Sequence, residues 1–294
     1  MKREILFSFH KCIIVLHEHT NTCTHEHFPY FRCVNKIRFA FRYLLYLLKA
    51  RTRHGTHSPF VYNLLDEVIY DSAHFYVFDE IESLRKKLLR DERTINIKDY
   101  GAGSTINSSP TRKLKDIAKN SAKADKYGQL MFRIIQKFKP ETLLELGTSL
   151  GISTIYQASA APKSKLITIE GCPETAAVAK ENFEKLKLSN VEIVVGNFDE
   201  TLSSALNNIT RLDYTFFDGN HRKAPTLDYF RKCLTKVNND SVFVFDDIHW
   251  SDEMEEAWEG IKANPSVTVT IDLFFVGLVF FRKEQKKQDF IIRY

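Results

Sequence analysis

The sequence predicts an α/β fold with a doubly wound, mostly parallel seven-stranded sheet and a helical segment before it. After Pro140, short apolar strands alternate with amphipathic helices, as in parallel sheets covered by helices on both faces. The chain finishes with two apolar strands joined by a very short connection, which requires an antiparallel pair at the edge of the sheet. Strands are predicted at 142–146, 165–170, 191–195, 212–217, 241–245, 267–273 and 276–281, and helices at 152–161, 172–186, 199–207, 224–233 and 252–263.

Length and composition are those of a protein with an ordinary buried core. The chain has 294 residues, of which 44% are hydrophobic and 27% charged, and its formal net charge is +5. Its positive residues are scattered or near the ends, so no nucleic-acid groove is predicted. No apolar run approaches the ~20 residues of a membrane span, and five cysteines in a long chain do not indicate a secreted disulfide framework. We expect a cytoplasmic protein with no membrane span and no nucleic-acid partner.

Residues 1–33 differ from the rest because they are rich in cysteine and histidine. Structural zinc sites pair their ligands in tight C-x2-C or H-x3-H knuckles, and no pair of such knuckles occurs here. A poorly ordered extension is therefore predicted, with a metal site as the weaker alternative. The residues concerned are His10, Cys12, His17, His19, Cys23, His25, His27 and Cys33.

Residues 34–123 are predicted to form a helical region, which also acts as a lid, before a main domain at 124–294. An apolar, aromatic-rich pattern over 37–49 indicates an amphipathic helix. Packing on the main domain or on a second subunit accounts for its apolar face better than membrane-surface binding does, so it is a candidate homodimer surface. Further helices are predicted up to about residue 70, at 79–90 and over 113–139.

A second glycine-rich string lies at 95–103, where a strand-like run leads into Gly101-Ala-Gly103. No helix follows this turn, and a Gly-x-Gly outside a βαβ unit is a weak signal for cofactor binding. The string is therefore interpreted as a plain structural turn, with a loop near the substrate entrance as the alternative.

The first strand of the main domain runs into a turn that is suited to binding a cofactor. The strand ends at Glu145-Leu146, the chain turns at Gly147, and Gly151 lets the backbone approach a ligand closely as the helix starts. Nineteen residues after Gly151 the second strand ends in Glu170. A carboxylate at that place accepts hydrogen bonds from two ribose hydroxyls, and it also suits the positive end of the following helix. The ribose role is the favoured prediction.

The spacing of the turn favours S-adenosylmethionine over a dinucleotide. A dinucleotide site needs Gly-x-Gly-x-x-Gly, whereas Gly147 and Gly151 are four positions apart with no third glycine. The Glu145 carboxylate would repel a pyrophosphate but suits a cofactor that carries an amine and a sulfonium. The predicted cofactor-binding residues are Glu145, Gly147, Thr148, Ser149, Gly151, Glu170, Asn197, which can reach the adenine edge after the third strand, and Asp218.

Residues from about 124 to 281 resemble the class I methyltransferases, in particular their small-molecule O-methyltransferase branch with the catechol and caffeoyl-coenzyme A enzymes. The motifs that carry the resemblance are Lys126-Tyr-Gly-Gln-Leu130, Glu145-Leu-Gly-Thr-Ser-Leu-Gly151, Phe217-Asp-Gly-Asn-His221 and Phe245-Asp-Asp-Ile248. The string His54-Gly-Thr-His-Ser-Pro-Phe60 also looks like bacterial members of this group. The resemblance implies a Rossmann-like fold and methyl transfer to a small hydroxylated molecule.

Three carboxylates close the fourth and fifth strands of the predicted sheet: Asp218, Asp246 and Asp247. They would repel one another unless a hard cation such as Mg2+ lay between them, so they are predicted to be metal ligands. In the metal-dependent relatives an asparagine stands at the position of Asp247. The alternative is that Asp246 caps the next segment and that Asp247 pairs with a lysine.

His221 is the predicted general base, with Asp218 as the second catalytic residue. It lies three residues after Asp218, where the catechol-type enzymes carry a lysine. An imidazole can take a proton from a substrate hydroxyl near neutral pH. His249 and Trp250 follow the second acidic strand end and are predicted to line the substrate pocket.

Two other classes of function remain open from the sequence. The chain could bind the cofactor without catalysis, as a scaffold protein, although Glu170, Asp218 and His221 argue against this. It could be a nicotinamide-dependent oxidoreductase, although the third glycine is missing. Methyltransferases that modify base amines carry an Asn/Asp-Pro-Pro-aromatic motif where Asp218-Gly-Asn-His221 stands, so oxygen is the favoured acceptor atom.

Overall fold

A computed structural model describes residues 29–98, 110–121 and 125–294. The predicted extension at 1–33 lies outside these residues up to position 28, as does the Gly101-Ala-Gly103 turn. The helices are α1 (Pro29–Lys49), α2 (Pro59–Leu64), α3 (Tyr76–Leu88), α4 (Leu114–Ser121), α5 (Asp125–Phe138), α6 (Ile152–Ala160), α7 (Pro173–Lys185), α8 (Phe198–Asn207), α9 (Lys223–Leu234) and α10 (Asp252–Ala263). The strands are β1 (Thr94–Asn96), β2 (Thr111–Lys113), β3 (Thr142–Leu146), β4 (Lys165–Glu170), β5 (Val191–Val195), β6 (Leu212–Phe217), β7 (Val237–Asp246), β8 (Val269–Asp272), β9 (Val276–Phe280) and β10 (Gln288–Ile291).

The main sheet has the predicted doubly wound, mostly parallel architecture. Within the described residues it contains eight strands in the order β10-β8-β9-β7-β6-β3-β4-β5. Strand β3 pairs in parallel with both β4 and β6, so the winding direction reverses between β3 and β6. In open α/β sheets, ligands bind beyond the carboxyl ends of the strands at such a reversal.

The strand count and the edge of the sheet differ from the prediction. The main sheet has eight strands among the described residues instead of seven, and the antiparallel strand β9 lies inside the sheet, between β7 and β8. The edge is β10, which pairs in parallel with β8. This strand lies in a polar, basic stretch of sequence, and Ile292, directly after it, is fully buried.

Side chains alternate between the two faces of the sheet and build a core on each. One core joins the sheet to α2, α3, α5, α6 and α7, with Leu143 of β3 and Phe216 of β6 among its members. The other core joins the sheet to α8, α9 and α10, and includes Leu144 of β3 and Phe217 of β6. Both faces of the central strands are therefore covered, which explains their continuous apolar sequences.

The region before the sheet is not wholly helical. The predicted stretch over 113–139 consists of α4 and α5, separated by residues outside the described set, and β1 pairs antiparallel with β2. Beyond α1 the chain reaches the edge strand, because the amide of Arg51 donates to the carbonyl of Ile291 at 2.8 Å. Among the described helices, none is long and apolar enough to cross a membrane.

Candidate active site

The turn after β3 lies against the loop that follows β6. Gly147 has φ +103°, and a Cβ at this position would collide with the backbone carbonyl oxygen of Asp218. The amide of Asp218 in turn donates to the carbonyl of Leu146 at 2.8 Å. Only glycine fits this conformation and this close approach, so Gly147 holds the two loops in contact.

Gly151 serves a similar purpose at the start of α6. It is the N-cap residue of this helix with φ +85°, and a Cβ would lie 2.5 Å from the ring of Phe183. Between the two glycines, Ser149 is in the left-handed region at φ +47°. This loop therefore turns tightly over the carboxyl end of β3, as predicted from its glycines.

Glu170 connects this loop to the start of α7. One carboxylate oxygen accepts a hydrogen bond from the amide of Ser149 at 2.8 Å, and the other accepts from the amide of Cys172 at 2.9 Å. Cys172 is the N-cap residue of α7, so the carboxylate lies beside the start of this helix without bonding to an amide of its first turn. The side chain remains partly exposed, and its role towards a ribose stays a prediction.

Glu145 has a different environment from the one expected of a cofactor ligand. Its side chain is fully buried and accepts hydrogen bonds from four side chains that belong to the protein itself. These donors are Ser153 at 2.7 Å, Gln157 at 2.6 Å, Thr168 at 2.7 Å and Thr154. Burial raises the pKa of Glu145, although these hydrogen bonds act in the opposite direction. The carboxylate thus fastens α6 and β4 to β3, and we remove it from the expected ligands.

Asn197 is the N-cap residue of α8. Its side-chain oxygen accepts a hydrogen bond from the amide of Asp199 at 3.2 Å. The next residue, Phe198, packs beneath Gly219, where a Cβ would lie 2.5 Å from the ring. The residue therefore lies in the loop at the carboxyl end of β5, where it was expected, and its contact with adenine stays a prediction.

Four of the predicted site residues line one cavity at the reversal of the sheet. They are Thr148, Ser149, Asp218 and Asp246. The remaining wall comes from Ala118 of α4, from Tyr127, Gly128 and Met131 of α5, from Leu150, Ile152, Ser153 and Tyr156, and from Phe216 and Val276.

The cluster able to hold a metal ion differs from the predicted one. Among the described residues, ligand atoms of Asp218, His221 and Asp246 lie within 4.8 Å of one another. Asp247 is not part of this group. It has φ +53°, and its amide donates to the carbonyl of Phe275 at 2.7 Å. The left-handed turn at Asp247 redirects the chain directly after Asp246, which a sequence pattern does not reveal.

Non-glycine residues with left-handed backbone occur in all three loops around the cavity. They are Ser149 after β3, Asn220 after β6 and Asp247 after β7, with φ between +47° and +53°. Such conformations cost on the order of 1–3 kcal/mol each and concentrate at functional sites. Their grouping here supports a site at this end of the sheet.

His249 is held between two carboxylates next to the site. Its Nε2 lies 2.7 Å from Asp272 and its Nδ1 lies 2.9 Å from Glu255, and its ring stacks on Phe274. Burial lowers the pKa of His249, but the hydrogen bonds and charges of Asp272 and Glu255 together outweigh this, so the pKa is raised. His249 therefore fastens the loop after β7 to β8 and α10 through both ring nitrogens.

This environment predicts a pH-dependent contribution to stability. Because the pKa of His249 is raised on folding, its stabilising contribution is present below the ordinary histidine pKa and is lost as the pH rises through the folded-state value. We expect the difference in free energy of unfolding between wild type and His249→Gln, measured by denaturant titration, to shrink across that window. His74→Gln removes a histidine that is 61% exposed and serves as the control. A difference that stays constant with pH would contradict this assignment.

The sequence pattern missed three aromatic residues of the site region. Tyr127 and Tyr156 line the cavity, and Phe39 of α1 contacts Trp250 and Phe275 with ring centroids 6.0 Å apart in each case. One signal was present for Tyr156, since Gly128 in the first turn of α5 leaves room for its ring, with which a Cβ would collide. Trp250 is 51% exposed beside Phe39. Neither Trp250 nor His249 is among the residues that line the cavity, so their place in a substrate pocket stays a prediction.

Comparison with known proteins relates part of this chain to methyltransferases. A family model described as a methyltransferase domain matches residues 144–248. The chain is 34% identical to a catechol O-methyltransferase of Niastella koreensis over 124 residues, which cover 41% of this chain and 55% of that protein. It is 37% identical to a transmembrane O-methyltransferase of Propithecus coquereli over 78 residues, 26% of this chain and 28% of that protein. The chain thus spans between about a quarter and about half the length of these curated relatives.

Solved structures share the fold at low sequence identity. The O-methyltransferase from Bacillus cereus, in complex with SAH, superposes with a TM-score of 0.52 at 17% identity, covering 72% of this chain and 93% of that one. A SAH-bound methyltransferase of Podospora anserina gives 0.51 at 14% identity, covering 72% and 99%. The fold is therefore that of these enzymes. Residues 144–248 match the methyltransferase domain model, and the chain is similar to O-methyltransferases in sequence and in fold, in agreement with the resemblance expected from the motifs.

Proposed function

We propose that the chain is an S-adenosylmethionine-dependent methyltransferase that methylates a hydroxyl oxygen of a small molecule. One observation carries this proposal: Asp218, His221 and Asp246 meet at the carboxyl ends of neighbouring strands, and both aspartates line the same cavity as the glycine turn after β3. An imidazole and two carboxylates are groups that proton transfer and cation binding use, and they favour catalysis over a scaffold role.

The methyl donor would lie along the loops after β3, β4 and β5. Glu170 would accept hydrogen bonds from the ribose hydroxyls, because its carboxylate is partly exposed and already positioned by Ser149 and Cys172. Asn197 would contact the adenine edge. The donor carries its methyl group on a sulfonium, so the protein has to align the acceptor oxygen for direct displacement and keep water out.

Asp218 and Asp246 fit a divalent cation of the Mg2+ type. Mg2+ binds proteins through one or two carboxylates and keeps its other positions for water and substrate oxygens. An imidazole nitrogen is a poorer ligand for it than for transition metals, so His221 is better suited to another role. When bound, the ion would hold a substrate oxygen and lower the pKa of that hydroxyl.

His221 would remove the proton of the acceptor hydroxyl. Its Nε2 lies 3.6 Å from Asp218 Oδ1, so the carboxylate can stabilise the imidazolium that forms. Its side chain is 27% exposed, which leaves it reachable from the cavity mouth. The acceptor would enter past Trp250 and Phe39, whose rings suit an apolar or aromatic molecule.

We expect His221→Gln to lower kcat about 10²–10⁴-fold and to leave the affinity for S-adenosylhomocysteine (SAH), the demethylated donor, unchanged. The assay measures transfer of labelled methyl groups from S-adenosylmethionine to a panel of hydroxylated small molecules, with Mg2+ and with chelator. His57→Gln, an exposed histidine before α2, is the matched control. Methylation by the wild type that His221→Gln leaves intact would contradict the assigned base. Donor binding without methylation of any acceptor would favour the scaffold alternative.

A further inference from the structure

Residues 292–294, directly after β10, are fixed to the region before the sheet. Ile292 is fully buried. The amide of Arg293 donates to the carbonyl of Arg51 at 3.0 Å, and the hydroxyl of Tyr70 donates to the carbonyl of Arg293 at 2.9 Å. Both polar groups of this main-chain residue are thus bonded, and the side chain that follows it is held in a defined position.

That side chain belongs to Tyr294, which packs on the start of α5. Its ring centroid is 5.6 Å from that of Tyr127, and its hydroxyl donates to the carbonyl of Lys126 at 2.8 Å. Burial raises the pKa of Tyr294 to about 12, so the hydroxyl keeps its proton near neutral pH. The ammonium of Lys126 lies 4.7 Å and 4.6 Å from the ring centroids of Tyr127 and Tyr294, and a cation is attracted to both rings. The two tyrosines and the lysine therefore form one packed unit.

Tyr127 connects this unit to the cavity of the site. Its side chain is 6% exposed and lines the cavity together with Asp218 and Asp246. Its ring also contacts Phe275, with centroids 5.8 Å apart. Tyr294 is not among the described residues that line the cavity, so its effect on a bound molecule has to pass through Tyr127.

The wall formed by Tyr127 borders the half of the site that is left for the acceptor. In the sheet, β4 and β5 lie on one side of β3, and β6, β7 and β9 lie on the other. The proposed donor follows the loops after β3, β4 and β5. Tyr127 instead contacts Phe275, whose carbonyl accepts from the amide of Asp247 directly after β7 at 2.7 Å. Tyr127 therefore lies on the side where Asp246 ends its strand and where the acceptor hydroxyl would bind.

We propose that Tyr294 is a positioning residue for the methyl acceptor, because it holds the ring of Tyr127 in place as a wall of the cavity. This inference rests on the proposed methyl transfer. Direct displacement requires the acceptor oxygen to be aligned with the methyl group, and a misplacement of about 1 Å can cost about 10²-fold in rate. Without the ring of Tyr294, Tyr127 would gain room to turn away from the cavity, and the acceptor would lose part of its alignment.

The test compares steady-state methylation by wild type, Tyr294→Ala, Tyr294→Leu and Tyr294→Phe, with the hydroxylated molecule that wild type methylates fastest as acceptor. Tyr294→Ala and Tyr294→Leu are expected to lower kcat/KM for the acceptor about tenfold or more and to leave the affinity for SAH unchanged. Tyr294→Leu keeps apolar volume and replaces Tyr294→Ala if that variant does not fold. Tyr294→Phe keeps the ring and should retain most of the activity. Tyr76→Ala, at a tyrosine that is 79% exposed, is the control and should equal wild type.

A double-mutant cycle with Tyr127→Leu separates positioning from a general loss of stability. If Tyr294 acts through Tyr127, Tyr294→Leu should lower kcat/KM for the acceptor in the wild-type background and have little further effect in Tyr127→Leu. A merely structural role would lower the free energy of unfolding, measured by denaturant titration, without this dependence of kcat/KM on Tyr127.

Three outcomes would overturn the inference and leave the proposed function standing. The first is an acceptor kcat/KM that Tyr294→Ala and Tyr294→Leu leave at the wild-type value. The second is a loss of SAH affinity as large as the loss in acceptor kcat/KM. The third is an equal loss in kcat/KM with and without Tyr127→Leu. A folded wild type that methylates no acceptor would instead contradict the proposed function, and this inference with it.

Discussion

Replacing Gly147 by alanine is expected to abolish binding of SAH, with a loss of at least about 100-fold, or roughly 2.8 kcal/mol. The new Cβ would collide with the carbonyl oxygen of Asp218, which is backbone and cannot rotate away. The φ of +103° adds strain for any residue with a side chain. The loops after β3 and β6 would have to separate, and the cavity between them would lose its shape.

The control for Gly147→Ala is Gly55→Ala, where the nearest atom to a new Cβ is 3.5 Å away and no positive φ is involved. Both variants are compared by titration calorimetry with SAH and by far-ultraviolet circular dichroism. Affinity of a folded Gly147→Ala within threefold of wild type would show that the contact between the two loops is not needed for the cofactor.

Replacing Glu145 by alanine is expected to have the largest effect on stability, about 3–5 kcal/mol in the free energy of unfolding. The carboxylate is fully buried, and its removal would leave the side chains of Ser153, Thr154, Gln157 and Thr168 without their acceptor. Leaving buried donors unpaired costs their full desolvation. Glu145→Gln keeps one acceptor oxygen and should cost only about 1–2 kcal/mol.

Denaturant titration of wild type, Glu145→Ala and Glu145→Gln measures their free energies of unfolding, and we expect wild type to be the most stable and Glu145→Ala the least stable. Glu192→Ala, at a glutamate that is 54% exposed and paired with Lys165, is the matched control and should change stability by less than about 0.5 kcal/mol. A cost below about 1 kcal/mol for Glu145→Ala would mean that the carboxylate does not fasten α6 and β4 to β3, and it would become a candidate ligand again.

The sequence was sufficient for the parts of the fold that depend on local pattern. The apolar runs that form β3, β4, β5 and β6 were predicted with the observed bounds, because each is continuous and bounded by turn or helix signals. Strand β10 could not be predicted in this way. Only two of its four residues are apolar. Its partner in the sheet is β8, and Ile292, directly after it, pairs with Arg51, more than 200 positions away in sequence.

The site was predictable where backbone geometry demands a particular residue type. Gly147 and Gly151 fit this description. Glu170 lies at the end of β4 as predicted, and its role towards a ribose stays a prediction. The prediction that Glu145 binds the cofactor rests on its charge and on its place before the glycine turn, and these do not reveal which face of the strand carries the side chain. Ser153, Thr154 and Gln157 of the following helix carried a signal, since together they place polar groups on the face of α6 that covers Glu145.

The sequence does not indicate that His221, and not Asp247, lies beside Asp218 and Asp246. Which side chain joins Asp218 and Asp246 depends on two left-handed turns. One is at Asn220, three residues after β6, and the other is at Asp247, directly after β7. Asparagine and aspartate tolerate this conformation, but their presence does not require it. The aromatic contact of Phe39 with Trp250 was equally unpredictable, because it joins α1 to a loop about 210 residues later.

The central claim, that the loops after β3 and β4 bind S-adenosylmethionine or its product, is tested most directly by calorimetric titration with SAH. Wild type, Glu170→Ala, Glu170→Gln and Glu192→Ala are compared with and without Mg2+. Micromolar binding is predicted for wild type and Glu192→Ala, with a loss of roughly tenfold or more, about 1.4 kcal/mol, for Glu170→Ala and a smaller loss for Glu170→Gln. The account would be contradicted if wild type showed no detectable binding under either condition, or if it bound with an affinity that Glu170→Ala leaves unchanged.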